Sequence, residues 1–153
     1  MRYDPETDSF VAQNGFEGKF ITGIDEDGRG RMWVSTYADG VYHFDPRDNS
    51  ELSRYHYLNG LPTNKLSGIF VDGRDRVWAI GFSFGFYCFD KMTGTFTEYS
   101  RKNLPDLPSD VFFSAIDDRD GSLWLSSDVG IVRFNPETRA VSSYTTSVGL
   151  LDD

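Results

Sequence analysis

Histidine and cysteine, which carry much of the nucleophilic and metal chemistry of proteins, are nearly missing from this chain: two and one among 153 residues. The single Cys88 has no internal partner, so no disulfide framework staples the fold. No run approaches the roughly 18–20 apolar residues of a membrane-spanning helix, and the N-terminus carries no signal-peptide pattern. Both absences describe this segment and not a longer parent. Positive charge is scarce, with 15 Lys and Arg against 24 Asp and Glu, a net charge of −9. That balance argues against general nucleic-acid binding, which rests on cations neutralising phosphates. A polyanionic ligand would need a local basic patch. Helical rhythm is missing as well, because no stretch sustains a 3.6-residue apolar period.

What is present is repetition. "RMWVSTYADGVYHFDP" at 31–46 returns as "RVWAIGFSFGFYCFDK" at 76–91 and "SLWLSSDVGIVRFNP" at 122–136. Trp33, Trp78 and Trp124 are 45 and 46 residues apart, and Phe44, Phe89 and Phe134 are 45 apart. Gly40, Gly85 and Gly130 hold the register, and an outer Tyr recurs as Tyr55, Tyr99 and Tyr144. Upstream, Asp27, Asp72 and Asp118 each stand six residues before their Trp.

Each unit reads as four short strands, in the second unit Leu66–Val71, Arg76–Gly81, Gly85–Phe89 and Thr95–Tyr99, separated by turn residues. Inner strands such as "MWVST" and "FYCF" are almost continuously apolar, as strands buried on both faces are. The last strand of each unit alternates, as a half-exposed strand does. Four strands per period of this length predict an all-β fold, a β-propeller segment of about three four-stranded antiparallel blades. The blades are assigned to 19–64, 65–110 and 111–153. Residues 1–18 then supply the end of a preceding blade plus a connector, because Tyr3-Asp4-Pro5 falls where Phe44-Asp45-Pro46 does. Each Trp is expected to fill the wedge between neighbouring blades, and each Gly to allow the turn into the third strand. Propellers close with about 4–8 blades. The chain is therefore read as a slice of a larger protein, or a piece that closes with copies of itself. Two uncovered apolar blade faces would favour self-association.

The pattern Ile/Ala-x-x-Asp-x-x-Gly/Asp-x-hydrophobic-Trp, then Gly-hydrophobic-x-x-Phe-Asp/Asn-Pro, resembles the two-component regulator propeller repeat. "SAIDDRDGSLWLSSDVGIVRFNPETRAVSSY" is a close match, and the connectors "NGLPTN" and "PDLPSD" resemble the family's linker between blades. The resemblance covers essentially the whole chain. It implies a periplasmic sensor region of a hybrid two-component system of gut bacteria, one that binds oligosaccharides. The membrane helix and the histidine kinase would belong to the parent and not to these residues. The second unit departs from the pattern: "GFSFGF" occupies its turn, and Lys91 replaces Pro.

Function must lie in what differs between copies, since repeated residues are committed to architecture. The acidic stretches "DEDGRGR", "VDGRDR" and "DDRDGS" fail the EF-hand spacing, and Gly28, Gly73 and Arg119 stand where a sialidase Asp-box would place its Asp. They are read as hairpin turns with Asp capping its own backbone, so no metal and no cofactor is assigned. His43 and His56 sit in no constellation with Ser or Cys, and no catalytic residue is assigned. The informative excess is aromatic, at 16% of the chain. Tyr37, Phe82 and Phe84 occupy turns where the third unit has Asp128-Val129. With Asp39, Asn64 and Asp128 they form the candidate ligand-binding set, stacking platforms with polar partners suited to a sugar. The competing reading packs Phe82 and Phe84 against adjacent blades or a partner chain. Arg29, Arg31, Arg74, Arg76 and Arg119, on the opposite turns, are the only local basic surface. The alternatives to a sensor are a protein-interaction scaffold and a propeller lyase or glycosidase.

Overall fold

The computed structural model describes residues 2–4, 6, 8–11, 15–47, 50–118 and 120–145. Pro5, Arg119 and the end of the third unit beyond residue 145 lie outside them. A two-stranded antiparallel pair, β1 (Arg2–Asp4) and β2 (Ser9–Val11), precedes three four-stranded sheets. The first blade is β3 (Ile21–Glu26), β4 (Met32–Thr36), β5 (Val41–Asp45) and β6 (Ser50–Tyr55). The second is β7 (Leu66–Val71), β8 (Val77–Gly81), β9 (Phe86–Asp90) and β10 (Thr95–Tyr99). The third is β11 (Phe112–Asp117), β12 (Leu123–Ser127), β13 (Gly130–Phe134) and β14 (Val141–Tyr144). Every sheet runs in chain order with antiparallel neighbours, and no helix occurs among the described residues. The fold is an all-β, incomplete propeller.

Side chains of a strand alternate between its two faces, and that alternation builds the core between blades. Trp33 and Val41 of the first blade join Ile69, Val77, Ala79 and Tyr87 of the second in one buried cluster. The opposite face of the second blade, Trp78, Ile80 and Phe86, meets Leu123, Leu125, Val132 and Phe134 of the third. The middle blade is therefore sealed on both sides, and all five residues of β8 are buried.

The two ends differ from each other. The outward face of the first blade is partly covered: Val34, Tyr42 and Phe44 are buried with Phe16 and Met32 packed against them, and Phe16 stands 5.1 Å from the Tyr42 ring, while Ile24 beside Val34 is exposed. Among the described residues, nothing covers the outward face of the third blade. Trp124 is only half-buried there, with its own Tyr144 stacked on it at 5.5 Å and Ile116, Ile131 and Tyr144 exposed. Thus Trp33 and Trp78 fill wedges between blades, whereas Trp124 meets no further blade among the described residues.

The repeated polar and glycine positions serve the turns. Asp27, Asp72 and Asp118 each accept two backbone N–H groups of their hairpin through one oxygen, and the indole N–H of their Trp through the other, at 3.2, 2.8 and 2.9 Å. Gly40, Gly85 and Gly130 have φ of +84°, +78° and +130°. A Cβ there would stand 2.1–2.3 Å from the carbonyl oxygen of Tyr55, Tyr99 or Tyr144. The recurring Gly and the recurring outer Tyr are two halves of one close backbone approach, which only glycine accommodates.

The innermost strands β3, β7 and β11 each carry a bulge at the same place, after Ile21, Leu66 and Phe112. Bulges bend a strand and re-aim its side chains. Gly23, just past the first bulge, lets β3 approach β7 so closely that a Cβ would lie 2.8 Å from the Ile69 nitrogen.

Candidate functional site

The turns between the second and third strands of the first two blades each present an aromatic side chain beside the start of an innermost strand. Backbone hydrogen bonds set the placement: the Tyr37 N–H donates to the Phe20 carbonyl at 2.9 Å, and the Phe82 N–H to the Lys65 carbonyl at 3.1 Å. The result is an aromatic row. Phe20 meets Tyr37 edge-on at 6.1 Å, and Tyr37 meets Phe82 edge-on at 5.9 Å. Between the two blades the row lines a cleft of about 480 Å³, completed by Thr22, Leu66 and Ser67. All three rings are substantially exposed, at 73, 41 and 42%. Rings left in water beside a cleft are free to stack on a ligand, which rings committed to the core are not.

The six residues singled out from the sequence are not all in this cleft. Tyr37 and Phe82 line it. Phe84, 50% exposed, lies on the far side of the same turn and lines a second cleft of about 260 Å³ with Pro62, Glu98 and Asp110 among its other walls. Asp39 is held by Lys19 at 3.6 Å and Arg54 at 3.3 Å. Asn64 accepts the Tyr57 N–H at 2.7 Å and so shapes the connector, as Asp110 does by accepting the Arg101 N–H at 2.7 Å. Asp128 is exposed in the β12–β13 turn of the third blade. Phe20 was missed. It occupies a position where the other units have Lys65 and Val111, so the search for non-repeating aromatics that found Tyr37 and Phe82 finds it too.

The opposite turns carry the charges, largely in pairs. Arg31 binds Asp27 at 2.9 Å, Arg76 binds Asp72 at 2.6 Å, and Arg74 and Arg76 share Glu137. Burial opposes ionisation of Asp27 and Asp72, but the hydrogen bonds they accept outweigh it and hold both carboxyls below their ordinary value. His43 is buried flat against Trp33 at 3.9 Å, and its Nε2 stands 3.5 Å from the Asp27 carboxylate. Burial, with Arg31 nearby, lowers its pKa, so the ring is held neutral. Cys88, at the same repeat position in the second blade, is half-buried, and burial pushes its thiol up to about 12, far from a reactive thiolate. His56 accepts the Leu58 N–H at 3.4 Å within the connector. Among the described residues no three His, Cys, Asp or Glu side chains converge as a metal-binding group. No helix among them is long and apolar enough to cross a membrane.

Residues 15–38, which run through β3 and β4, match the family model described as the two component regulator propeller. Comparison with curated proteins gives no match. Among solved structures, the chain is similar to the extracellular domain of what is described as a one component system of B. thetaiotaomicron, with 24% identity and a TM-score of 0.78 over 94% of this chain and 21% of that one. It is similar to the extracellular domain of a hybrid two component system of the same organism, with 22% identity and a TM-score of 0.75 over 98% of this chain and 19% of that one. Virginiamycin B lyase from Staphylococcus aureus is also similar, with 15% identity and a TM-score of 0.72 over 93% of this chain and 45% of that one. The chain spans about a fifth of the length of the two extracellular domains. Likeness at this identity establishes architecture, and chemistry has to be argued from the site. The chain is a run of β-propeller blades whose first full blade resembles, over residues 15–38, the two component regulator propeller.

Proposed function

We propose that these blades belong to the extracytoplasmic, periplasmic sensing region of a membrane-bound hybrid two-component system, where they bind an oligosaccharide and catalyse nothing. The observation that carries this reading is the Phe20–Tyr37–Phe82 row: three exposed rings at one cleft, at positions the repeat does not need. The apolar C–H face of a sugar ring stacks on such rings, while its hydroxyls reach the Thr22 and Ser67 hydroxyls that line the same cleft. The candidate set Tyr37, Asp39, Asn64, Phe82, Phe84 and Asp128 is thereby narrowed to Tyr37 and Phe82, joined by Phe20, for direct stacking. Binding would signal only through differential affinity for two arrangements of the parent sensor, relayed to a histidine kinase outside this chain.

A lyase or glycosidase has less support. The lyase of similar fold is known in a catalytically inactive histidine-to-alanine form, whereas His43 here is buried under Trp33 and His56 serves a connector turn. A scaffold role is favoured by one observation, the open apolar face of the third blade, which suits a second copy of the chain.

Calorimetric titration with neutral oligosaccharides tests the reading. Tyr37→Ala and Phe82→Ala should each weaken binding about tenfold, the range of a lost aromatic contact, with the unfolding transition retained. Unchanged affinity in both folded variants would remove the cleft from consideration.

A further inference from the structure

The second cleft gains meaning when the blades are compared at equivalent positions. The residue before the turn glycine is Asp39, Phe84 or Val129, and the residue before the outer Tyr is Arg54, Glu98 or Ser143. In the first blade these two positions satisfy each other: Arg54 donates to the Asp39 carboxylate at 3.3 Å and to its carbonyl at 3.2 Å, and lies 5.3 Å over the Tyr42 ring. In the second blade both members are changed. Phe84 replaces the anion, Glu98 replaces the cation, and Tyr87 stands where Tyr42 does. Where the first blade has an ion pair, the second has a cleft of about 260 Å³ lined by Phe84, Tyr87, Glu98, Ser100, Lys102 and Asp110.

We infer that this cleft is a second sugar subsite, selective for neutral or aminated rings over acidic ones; the inference rests on the oligosaccharide reading above. One wall is the half-exposed Phe84 ring, a stacking surface. The others are rich in acceptors. Glu98 takes one hydrogen bond from Ser100 and Asp110 one from the Arg101 N–H, which leaves each carboxylate a second oxygen without a protein partner among the described residues. Ionised carboxylates accept hydrogen bonds and donate none, so they suit the donors of a sugar, its hydroxyls or an ammonium. With two carboxylates against the one ammonium of Lys102, the cleft repels an added anion. The buried Tyr87 hydroxyl donates to the Phe84 carbonyl at 2.7 Å. Burial, and then the fields of Glu98 and Asp110, raise its pKa, which agrees with a negative site. Phe82 and Phe84 flank a single residue, Ser83, so one turn separates the two clefts, and an oligosaccharide crossing it would engage both.

Titration of the full chain with trisaccharides separates the two proposals. The probes are maltotriose, mannotriose, xylotriose, a glucosamine trimer and trigalacturonate, each to about 10 mM, enough to detect millimolar affinity. The expected result is saturable binding of at least one neutral or aminated trimer, with trigalacturonate at least about tenfold weaker. Phe84→Ala should weaken the bound trimer about tenfold while leaving the melting transition in place, because the carbonyl that holds Tyr87 is kept. Glu98→Lys should erase the preference against trigalacturonate. Trigalacturonate binding as well as the neutral trimers, or full affinity retained by both variants, overturns the subsite. If Tyr37→Ala and Phe82→Ala lose binding while the Phe84 and Glu98 variants do not, the oligosaccharide reading stands and the second subsite falls. If no probe binds, both fall.

Discussion

Asp72→Ala is the substitution that tests most sharply how a blade is held together. The Asp72 side chain is 1% exposed and accepts four hydrogen bonds: from the Trp78 indole at 2.8 Å, the Arg76 Nε at 2.6 Å, and the Arg74 and Arg76 backbone N–H groups, both at 2.9 Å. Alanine removes all four acceptor contacts and strands the Trp78 N–H in the core between the second and third blades. Breaking a buried ion pair from one side costs about 3–5 kcal/mol, a large share of the roughly 5–15 kcal/mol that holds a domain. For a chain of this length that corresponds to a fall in Tm of about 10 °C or more. The same bond exists in the third blade, but the Asp118 side chain is 27% exposed and its Trp lies on the open face. Water can replace the lost acceptor there, so Asp118→Ala should cost only about 1 kcal/mol. Thermal and urea unfolding of the two variants supply the comparison. Equal losses, or a loss below about 1 kcal/mol for Asp72→Ala, would refute burial as the source of the difference.

Three further outcomes follow. Gly85→Ala should destabilise by about 2 kcal/mol or more in urea unfolding, since the added Cβ meets the Tyr99 carbonyl at 2.2 Å; Gly94→Ala, with φ +69° and open space around it, should lose only about the 1–2 kcal/mol of a left-handed residue. The lowered pKa of His43 means that its contribution to stability is complete above the unfolded value of about 6.5 and is lost as pH falls through the folded one, because the unfolded chain takes the proton first. Asp27 and Asp72, also lowered, add a second loss below about pH 4; His43→Phe should abolish the first decline in a pH series of melts and keep the second. The open Trp124 face should produce concentration-dependent self-association in sedimentation, weakened by Ile131→Asp, and a monomer at all concentrations would contradict that.

The architecture was legible because a repeat displays its constraints three times. The 45-residue spacing gave four strands per unit, and in the second unit β7 and β10 have the expected bounds, while β8 and β9 each begin one residue later than expected. Arg76 is drawn to the Asp72 side chain, and the Gly85 N–H donates to the Asp110 carbonyl of the following connector. The constancy of Asp six residues before Trp was visible, but its reason, a bond to the indole, depends on the hairpin geometry that brings them together. The covering of the first blade by Phe16 was legible in principle, because Phe16 stands at the repeat position of Leu61 and Leu107, each buried in one of the other two clusters. The candidate site was read only in part. Strand alternation assigns faces within a sheet, but Phe82 and Phe84 sit in a turn, where local dihedrals decide direction, and they line different clefts. Asn64 and Asp110 recur at one position of the repeat, which was visible in the sequence, but the connector N–H that each accepts was not.

The most direct test of the central claim is to map a bound oligosaccharide on the chain by amide and aromatic NMR shifts, using the tightest-binding neutral or aminated trimer. The account predicts saturable shifts concentrated at Phe20, Tyr37 and Phe82, extending to Phe84 across their shared turn, with the hairpins at 27–31 and 72–76 unmoved. Shifts confined to those charged hairpins, or to the open face around Trp124, would contradict it.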